Sequence, residues 1–511
     1  MADNSGVTDS PLVTSLSFSR RVMIMIAVVL GTTLYSTTLL VASSMLPQMQ
    51  GSMAATADEI AWTTTFNILA TAIVTPMTGW LVASFGRRRV MLYGVGGFTI
   101  TTYLCGQAES LEMLVLWRIL QGGIGAPMTP LSNAMVLDCF PRRNAGLVSS
   151  IFGMSAVVLG PVIGPTVGGI LAEAYGWRYA FYMIVPAGIF AWFALALVMP
   201  KDVPGAIMRL DWTGFISLSM AIGALQLVLS RGQRVDWFES TEIIAECVIA
   251  TIAFYVFIAH SLTAQRPFLN LRLLLNRNYA LGLLLVFTYG MLNFTPLVLL
   301  PGLLQAHAGY PDDLIGKIVG FRGLGGTVGF FLAMFIGRLD PRLGMTAGFG
   351  LLALSGVWLM EIDLNVSPGE LLLNSVVQGM ATGIVWVPLS VMAFSTLEQR
   401  YMAEGMAVFH LLRNLGSSLF ISIAVAQIIQ STSANYSRLT EMVTPYNRVL
   451  DMPWVMGGWT METLPGLARL AKEINRQAAM LGYLNAFSLY TVTSVVAILL
   501  VWLVPRRRRA T

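Results

Sequence analysis

Three arginines and a histidine stand inside long apolar runs: Arg118, Arg322, His410 and Arg413. An ionised side chain there is costly unless it faces water, a polar partner or a ligand, so each is a candidate for chemistry rather than packing. Arg118 has Gln121 one helical turn away, and hydroxyls such as Thr38 are further candidate partners, with an anionic ligand as the alternative. Its plainer reading is a side chain that snorkels to the nearer surface. His410, one turn from Arg413, changes charge near neutral pH and is a candidate proton site; the plainer reading is a histidine hydrogen-bonded between helices. Asp138 ends an apolar run on the same side as Arg87 and Arg88, where an ion pair can form; if exposed, such a pair is worth less than about 1 kcal/mol.

Asn67, Asn293, Phe294, Asn374, Gln378 and Trp386 are polar or aromatic and lie mid-run, where they could line a cavity. The 29 methionines suit an adaptable apolar wall, although most must be plain packing. The run VVLGPVIGPTVGGIL, Val157 to Leu171, carries Gly160, Gly164 and Gly168 at four-residue steps, with Gly169, Pro161 and Pro165 beside them. Glycines so spaced share one helical face, which a neighbouring backbone can approach closely, and the prolines bend the helix. No phosphate-binding loop, catalytic triad or metal-ligand spacing is present in the sequence. The expectation is therefore no enzymatic activity, no cofactor and no metal site.

Composition says what positions these residues. The chain has 511 residues, of which 56% are hydrophobic and 11% charged, with a mean hydropathy of +0.71. A water-soluble fold cannot bury that much apolar surface, and the runs are continuous rather than alternating, which excludes a β-barrel. The class is an all-α integral membrane protein. Apolar runs place spans near 22–46, 60–83, 89–107, 111–138, 145–172, 179–199, 211–230, 242–262, 278–302, 314–337, 343–360, 370–394, 404–430 and 480–503. A signal-peptide reading of the first run, with cleavage after Ala42-Ser43-Ser44, is rejected because the run is span-length. The net charge of +5 sits in short loops holding Arg87 to Arg89, Arg142-Arg143, Lys201, Arg272, Arg277 and Arg506 to Arg509, so it reports topology rather than nucleic-acid binding. By the positive-inside rule that side, and both termini, are cytoplasmic. The cysteines Cys105, Cys139 and Cys247 form no disulfide framework.

A repeat underlies the spans. Gly79 and Gly337 open similar loops 258 residues apart (337 − 79), Gln121 and Gln378 lie 257 apart (378 − 121), and Gly160 and Gly416 lie 256 apart (416 − 160). Six spans in residues 1–200, two extra spans in 201–266 and six more in 267–511 follow from that offset. A site between related halves, near the midplane, is the expectation.

Several stretches resemble the major facilitator superfamily, and within it the fourteen-span drug:proton antiporters of the EmrB and QacA type. The glycine–proline run is similar to the family's fifth-helix antiporter motif. Asp211-Trp-Thr-Gly214, SRGQRVDW (Ser230 to Trp237), the link from Pro267 to Tyr279 and LLPGLLQAHAGYP (Leu299 to Pro311) continue the resemblance. So do Phe321-Arg322-Gly323-Leu-Gly325, Leu412-Arg413-Asn-Leu-Gly416 and INRQAAMLGYLNAF (Ile474 to Phe487). The resemblance implies a major facilitator fold, with the glycine face at the interface between the two halves. Arg118, in its R-x-x-Q-G setting, resembles a proton-transfer motif, and Asp138 with Arg87 and Arg88 resembles a cytoplasmic latch. Three positions depart from the family pattern: Thr38 and Ala83 stand where acids are usual, and Ile184 stands for an asparagine.

The function this implies is proton-coupled export of amphipathic or apolar compounds from the bacterial inner membrane by alternating access. A dedicated exporter of one metabolite or lipid-like molecule, and a non-transporting scaffold or sensor, are the alternatives. The long external loop 431–479 holds LARLAKEINRQAAML, whose Leu467, Leu470 and Ile474 share a face. That helix either lies on the membrane surface or, as the resemblance implies, helps dock a periplasmic adaptor leading to an outer-membrane channel, with Trp454 and Trp459 as anchors.

Overall fold

The computed structural model describes residues 16–141, 144–201, 209–265, 267–336, 340–444, 446–447 and 463–504. Gly337, Trp454 and Trp459 lie outside the described residues. Each of the fourteen apolar runs is helical. The helices are α1 (Phe18–Ser44), α2 (Leu46–Met53), α3 (Ala57–Val74), α4 (Thr78–Phe85), α5 (Arg87–Gly106), α6 (Leu111–Gly125), α7 (Met128–Asp138), α8 (Ala145–Gly153), α9 (Gly160–Tyr175), α10 (Arg178–Tyr182) and α11 (Ile184–Val198). They continue as α12 (Trp212–Arg231), α13 (Thr241–Thr263), α14 (Arg277–Leu303), α15 (Asp312–Ile336), α16 (Pro341–Met360), α17 (Pro368–Phe394), α18 (Met402–Thr440) and α19 (Leu464–Val501).

Among the described residues, eleven helices are long and apolar enough to cross a membrane. The runs 89–107, 111–138 and 145–172 fall outside that number for local reasons. α5 starts with three arginines and is diluted by threonine and glycine. The run 111–138 is two helices, because Pro127 caps the second and has no amide to continue the first. The run 145–172 passes through a π-helical segment, Met154–Leu159, before Gly160-Pro161, which resets the register of the faces on either side.

Two bundles form, with α12 and α13 alongside. Repeat-related glycines set one close crossing in each half. A Cβ on Gly122 would collide with the Asn67 carbonyl, and one on Gly379 with the Arg322 carbonyl, so α6 meets α3 and α17 meets α15 at backbone distance. Asp211 organises the added pair: its carboxylate accepts from Gly214 N at 3.0 Å at the start of α12, from His260 Nε2 at 2.8 Å on α13, and from Phe268 N at 3.0 Å in the following link. Burial raises the Asp211 carboxyl, but those hydrogen bonds together outweigh it and hold the group below its ordinary value.

The expected loop 431–479 is shorter than its hydropathy suggested. α18 runs on to Thr440 and α19 starts at Leu464, so LARLAKEINRQAAML is continuous with the last apolar run rather than a separate helix on the membrane surface. Leu470 and Ala478 to Met480 are buried while Leu467 is exposed, so this extension packs along one side.

Candidate functional site

Arg118 is 1% exposed and is held entirely by neutral groups. Its Nη1 donates to Gln121 Oε1 at 2.5 Å and its Nε to the Thr63 carbonyl at 3.3 Å, while Gln121 Nε2 donates to Thr102 Oγ1 at 2.7 Å. Asn67 Nδ2 donates to the Arg118 carbonyl at 2.7 Å, and the guanidinium lies 5.9 Å from the Phe181 ring. Arg118 is therefore locked inside the bundle by α3, α5 and α10 and does not snorkel. Thr38 is not among its partners: that hydroxyl donates to Leu34 O of its own helix at 2.9 Å, the usual fate of a threonine in a helix interior.

The second bundle builds a related seat. Arg322 Nη1 donates to Gln378 Oε1 at 2.7 Å, and Nη2 donates to the Asn293 carbonyl at 2.5 Å and to Asn293 Oδ1 at 3.0 Å. Gln378 Nε2 then donates to Asn374 Oδ1 at 2.9 Å, and Asn374 Nδ2 to the Ser355 carbonyl at 3.1 Å. The two glutamines are repeat mates, but the arginines are not. Ser375 stands 257 residues after Arg118 (375 − 118), and Arg322 comes from α15 instead. One glutamine position thus orients an arginine in each half, delivered by different helices.

Arg413 is the third interior cation. Its guanidinium carbon lies 5.8 Å from the Phe294 ring and 5.7 Å from the Trp386 ring, and among the described residues its donors reach Asn414 Oδ1 alone, at 3.2 and 3.4 Å. None of the three arginines has a carboxylate partner among the described residues; the ion pairs found there include Arg87–Asp138, Arg231–Glu242, His260–Asp211 and Arg476–Glu473.

The halves touch at one end. Arg87 Nη1 meets Asp138 Oδ2 at 2.6 Å, and Gln399 Nε2 of the second half donates to Asp138 Oδ1 at 3.3 Å. Arg88 Nη2 donates to the Ala196 carbonyl at 2.7 Å, at the end of α11. Deeper, Asn133 Nδ2 and His410 Nε2 are 3.3 Å apart, and Ser390 Oγ is 3.4 Å from Ser149 Oγ. His410 Nδ1, Asn133 Oδ1 and Trp386 Nε1 are buried without hydrogen-bond partners.

The glycine face of α9 is not part of this interface. A Cβ on Gly160 would stand 2.6 Å from Ser36 Cβ, and one on Gly164 2.6 Å from the Thr37 carbonyl, so the face lies on α1 of its own bundle. Gly168 continues it against Val41, and a Cβ on Gly169 would meet nothing within 4 Å. The opposite side of the same stretch makes the interface, where Val158 and Val162 fill the spaces left by Gly326 and Gly323 of α15. One to two turns further out on those faces, Gly169, Gly316 and Gly320 have open space. The halves therefore close at the end bearing Arg87 and Asp138 and diverge toward Tyr175 and Asp312. Thr63, Thr102, Phe181 and Ser355 carry no signal that sets them apart in the sequence; only their proximity to the arginines reveals them.

Two helical bundles related by a sequence repeat, each with a buried arginine held by a glutamine, are the architecture of a membrane transporter. The family model described as Major Facilitator Superfamily matches residues 26–421, and the chain belongs to that family. It is 28% identical to the Multidrug export protein EmrB of Escherichia coli (strain K12) over 494 residues, covering 95% of this chain and 96% of that one. It is also 28% identical over 475 residues to the Fatty acid resistance protein FarB of Neisseria gonorrhoeae, covering 91% and 92%. The solved proton:xylose symporter XylE shares the fold, with a TM-score of 0.58 at 14% identity and 96% of each chain covered. The chain is thus a multi-pass protein of the bacterial inner membrane, similar to EmrB-type exporters.

Proposed function

We propose that this protein is a secondary active exporter of amphipathic compounds, that its preferred substrates carry an acidic head group, and that it has fourteen spans with both termini in the cytoplasm. The observation that carries the substrate class is the set of interior cations Arg118, Arg322 and Arg413 with no carboxylate beside them. In a low-dielectric interior, cations held only by neutral dipoles favour an anion, and Phe294, Trp386 and Phe181 offer the apolar surface for its tail. The name of the FarB relative, a fatty acid resistance protein, is in keeping with such a ligand. Asp138, held by Arg87 of its own half, joins the second half through Gln399, and this contact with Asn133–His410 forms the latch that separates when the site turns to the cytoplasm.

A proton gradient is the proposed driving force, since no ATP-binding loop occurs in the sequence. A periplasmic adaptor, leading to an outer-membrane channel, is the proposed partner. α18 and α19 have 39 and 38 residues, which at about 1.5 Å per residue gives close to 57 Å each, well beyond the hydrocarbon thickness of about 30 Å. The antiparallel extension they form is a rigid surface for such a partner. Deleting 444–463 should weaken adaptor co-purification while leaving substrate binding intact, and undiminished recovery would move the docking surface elsewhere.

The test of the main reading is efflux from proteoliposomes under an imposed pH gradient, comparing a medium-chain fatty acid with a quaternary ammonium amphiphile. The acid should move faster, and Arg322→Gln should remove that advantage. Preference for the ammonium compound, unaltered by Arg322→Gln, would overturn the anionic assignment.

A further inference from the structure

The acids that the resemblance leads one to expect are missing from α1, at Thr38, and from α4, at Ala83, yet one carboxylate lies at the closed end of the inter-half contact. Glu404 is in the first turn of α18. Its Cβ and Cα lie against Gly79 of the first half, where a Cβ would stand 3.2 and 3.3 Å from them. Its Oε1 accepts from Asn270 N, in the link after the added pair, at 2.6 Å. Among the described residues that is its only hydrogen bond, and none of the ion pairs found there includes it.

The groups on neighbouring elements do not neutralise it. Tyr279 on α14 spends its hydroxyl on the Gly405 carbonyl at 2.9 Å. Arg272 in the link is exposed, and Arg87 is 2.6 Å from Asp138. The amide dipoles at the start of α18 favour the charged carboxylate, but Glu404 stays in that first turn whether the halves meet or part, so this preference does not distinguish the two states. Asn270 reaches Glu404 from the second-half side of the contact, so its hydrogen bond survives separation too. What changes is the cover supplied by α4 through Gly79. With the halves together, Glu404 is partly buried and its carboxylate loses part of its hydration, which disfavours the ionised form; with the halves apart that cover is gone.

We propose that Glu404 is the proton-responsive element of this gate: it takes one proton from the cytoplasmic side as the halves close over it and returns that proton to the same side as they part. The proton is taken up from and returned to the same side, so Glu404 ties the closed-to-open ratio to the pH on the cytoplasmic side and carries no proton across the membrane. The proposal rests on the alternating-access reading above. Unlike His410, which lies between Trp386 and Phe409 with its Nδ1 unpartnered, Glu404 has a state in which each of its protonation forms is the favoured one. By linkage, one proton taken up on closing shifts the closed-to-open ratio by up to about tenfold per pH unit.

The experiment measures the distance between spin labels at Ala83→Cys on α4 and Leu274→Cys in the link, both exposed positions, in full-length protein in nanodiscs with Cys247 replaced by serine. The unaltered carboxylate should give mostly the short distance at pH 6 and a growing long-distance population at pH 8. Glu404→Gln, a mimic of the protonated form, should hold the short distance at both, whereas Glu404→Asp should keep a pH response. A wild-type response in Glu404→Gln, or no response in the parent, overturns the assignment. The readout is conformational, so failure of the substrate assignment, which is read by efflux, is separately visible.

Discussion

The contact between Gly326 of α15 and Val158 allows a perturbation confined to one conformational state. A Cβ built on Gly326 stands 2.6 Å from Val158 Cγ2 and 3.1 Å from Cγ1, and the nearest atoms to it all belong to that valine of the opposite half. Carbon atoms in contact prefer about 3.5–4.0 Å, so Gly326→Ala forces roughly 1 Å of relief by rotating Val158 or moving α15 away. Overpacking on this scale costs about 1–3 kcal/mol. The cost falls only on the state in which the halves meet, so the closed-to-open ratio should drop by about 5- to 150-fold. The same spin-label pair on α4 and the link reads that ratio directly, and efflux should slow because the outward-facing form becomes scarce. Val158→Ala removes both offending methyl groups, so the double variant should recover most of the parent distribution. An unchanged ratio in Gly326→Ala, or a loss that Val158→Ala does not relieve, would show that this contact does not close the gate.

Other consequences follow from the same geometry. Gly164→Leu should impair packing of α9 on α1 and lower the yield of folded protein rather than trap one transport state; well-folded, inactive protein would return the glycine face to the interface. Arg118→Ala should abolish efflux, and Arg118→Lys should retain a fraction, because a lysine keeps the charge without the fork that reaches both Gln121 and Thr63; equal activity of the two would remove that geometry from the account. His410→Gln keeps a partner for Asn133 and should leave the pH profile of efflux near that of the parent, whereas a flattened profile would assign the proton to the histidine. Asp211 is held below its ordinary value of 3.8, so its contribution to stability is full above that value and is lost as pH falls through the lowered one. The stability advantage of the parent over Asp211→Asn, followed by tryptophan fluorescence, should therefore shrink as pH falls through that range, and an advantage that does not change with pH would show that the ionised carboxylate contributes nothing.

The sequence alone determined what hydropathy and order can encode: a helical membrane protein, fourteen apolar runs, a repeat offset near 257 residues, and the interior arginines, one of them beside its glutamine; the Arg322–Gln378 pair came only from the structure. Those features are legible because a charge in an apolar run, or a small-residue face at a fixed period, is a one-dimensional signal. Only the tertiary structure decided which surfaces meet. The same spacing of Gly160, Gly164 and Gly168 would serve any close crossing, and it serves the one with α1, while the moving interface uses Val158 and Val162 on the other side of the stretch. Thr38 matches the position of a family acid, yet its hydroxyl stays within its own helix, because that bond needs no partner from elsewhere. Hydropathy marks where a helix leaves the bilayer and not where it ends, so the polar ends of α18 and α19 read as loop. Glu404 was invisible for a related reason: an acid at the edge of an apolar run looks solvated until the fold brings Gly79 over it.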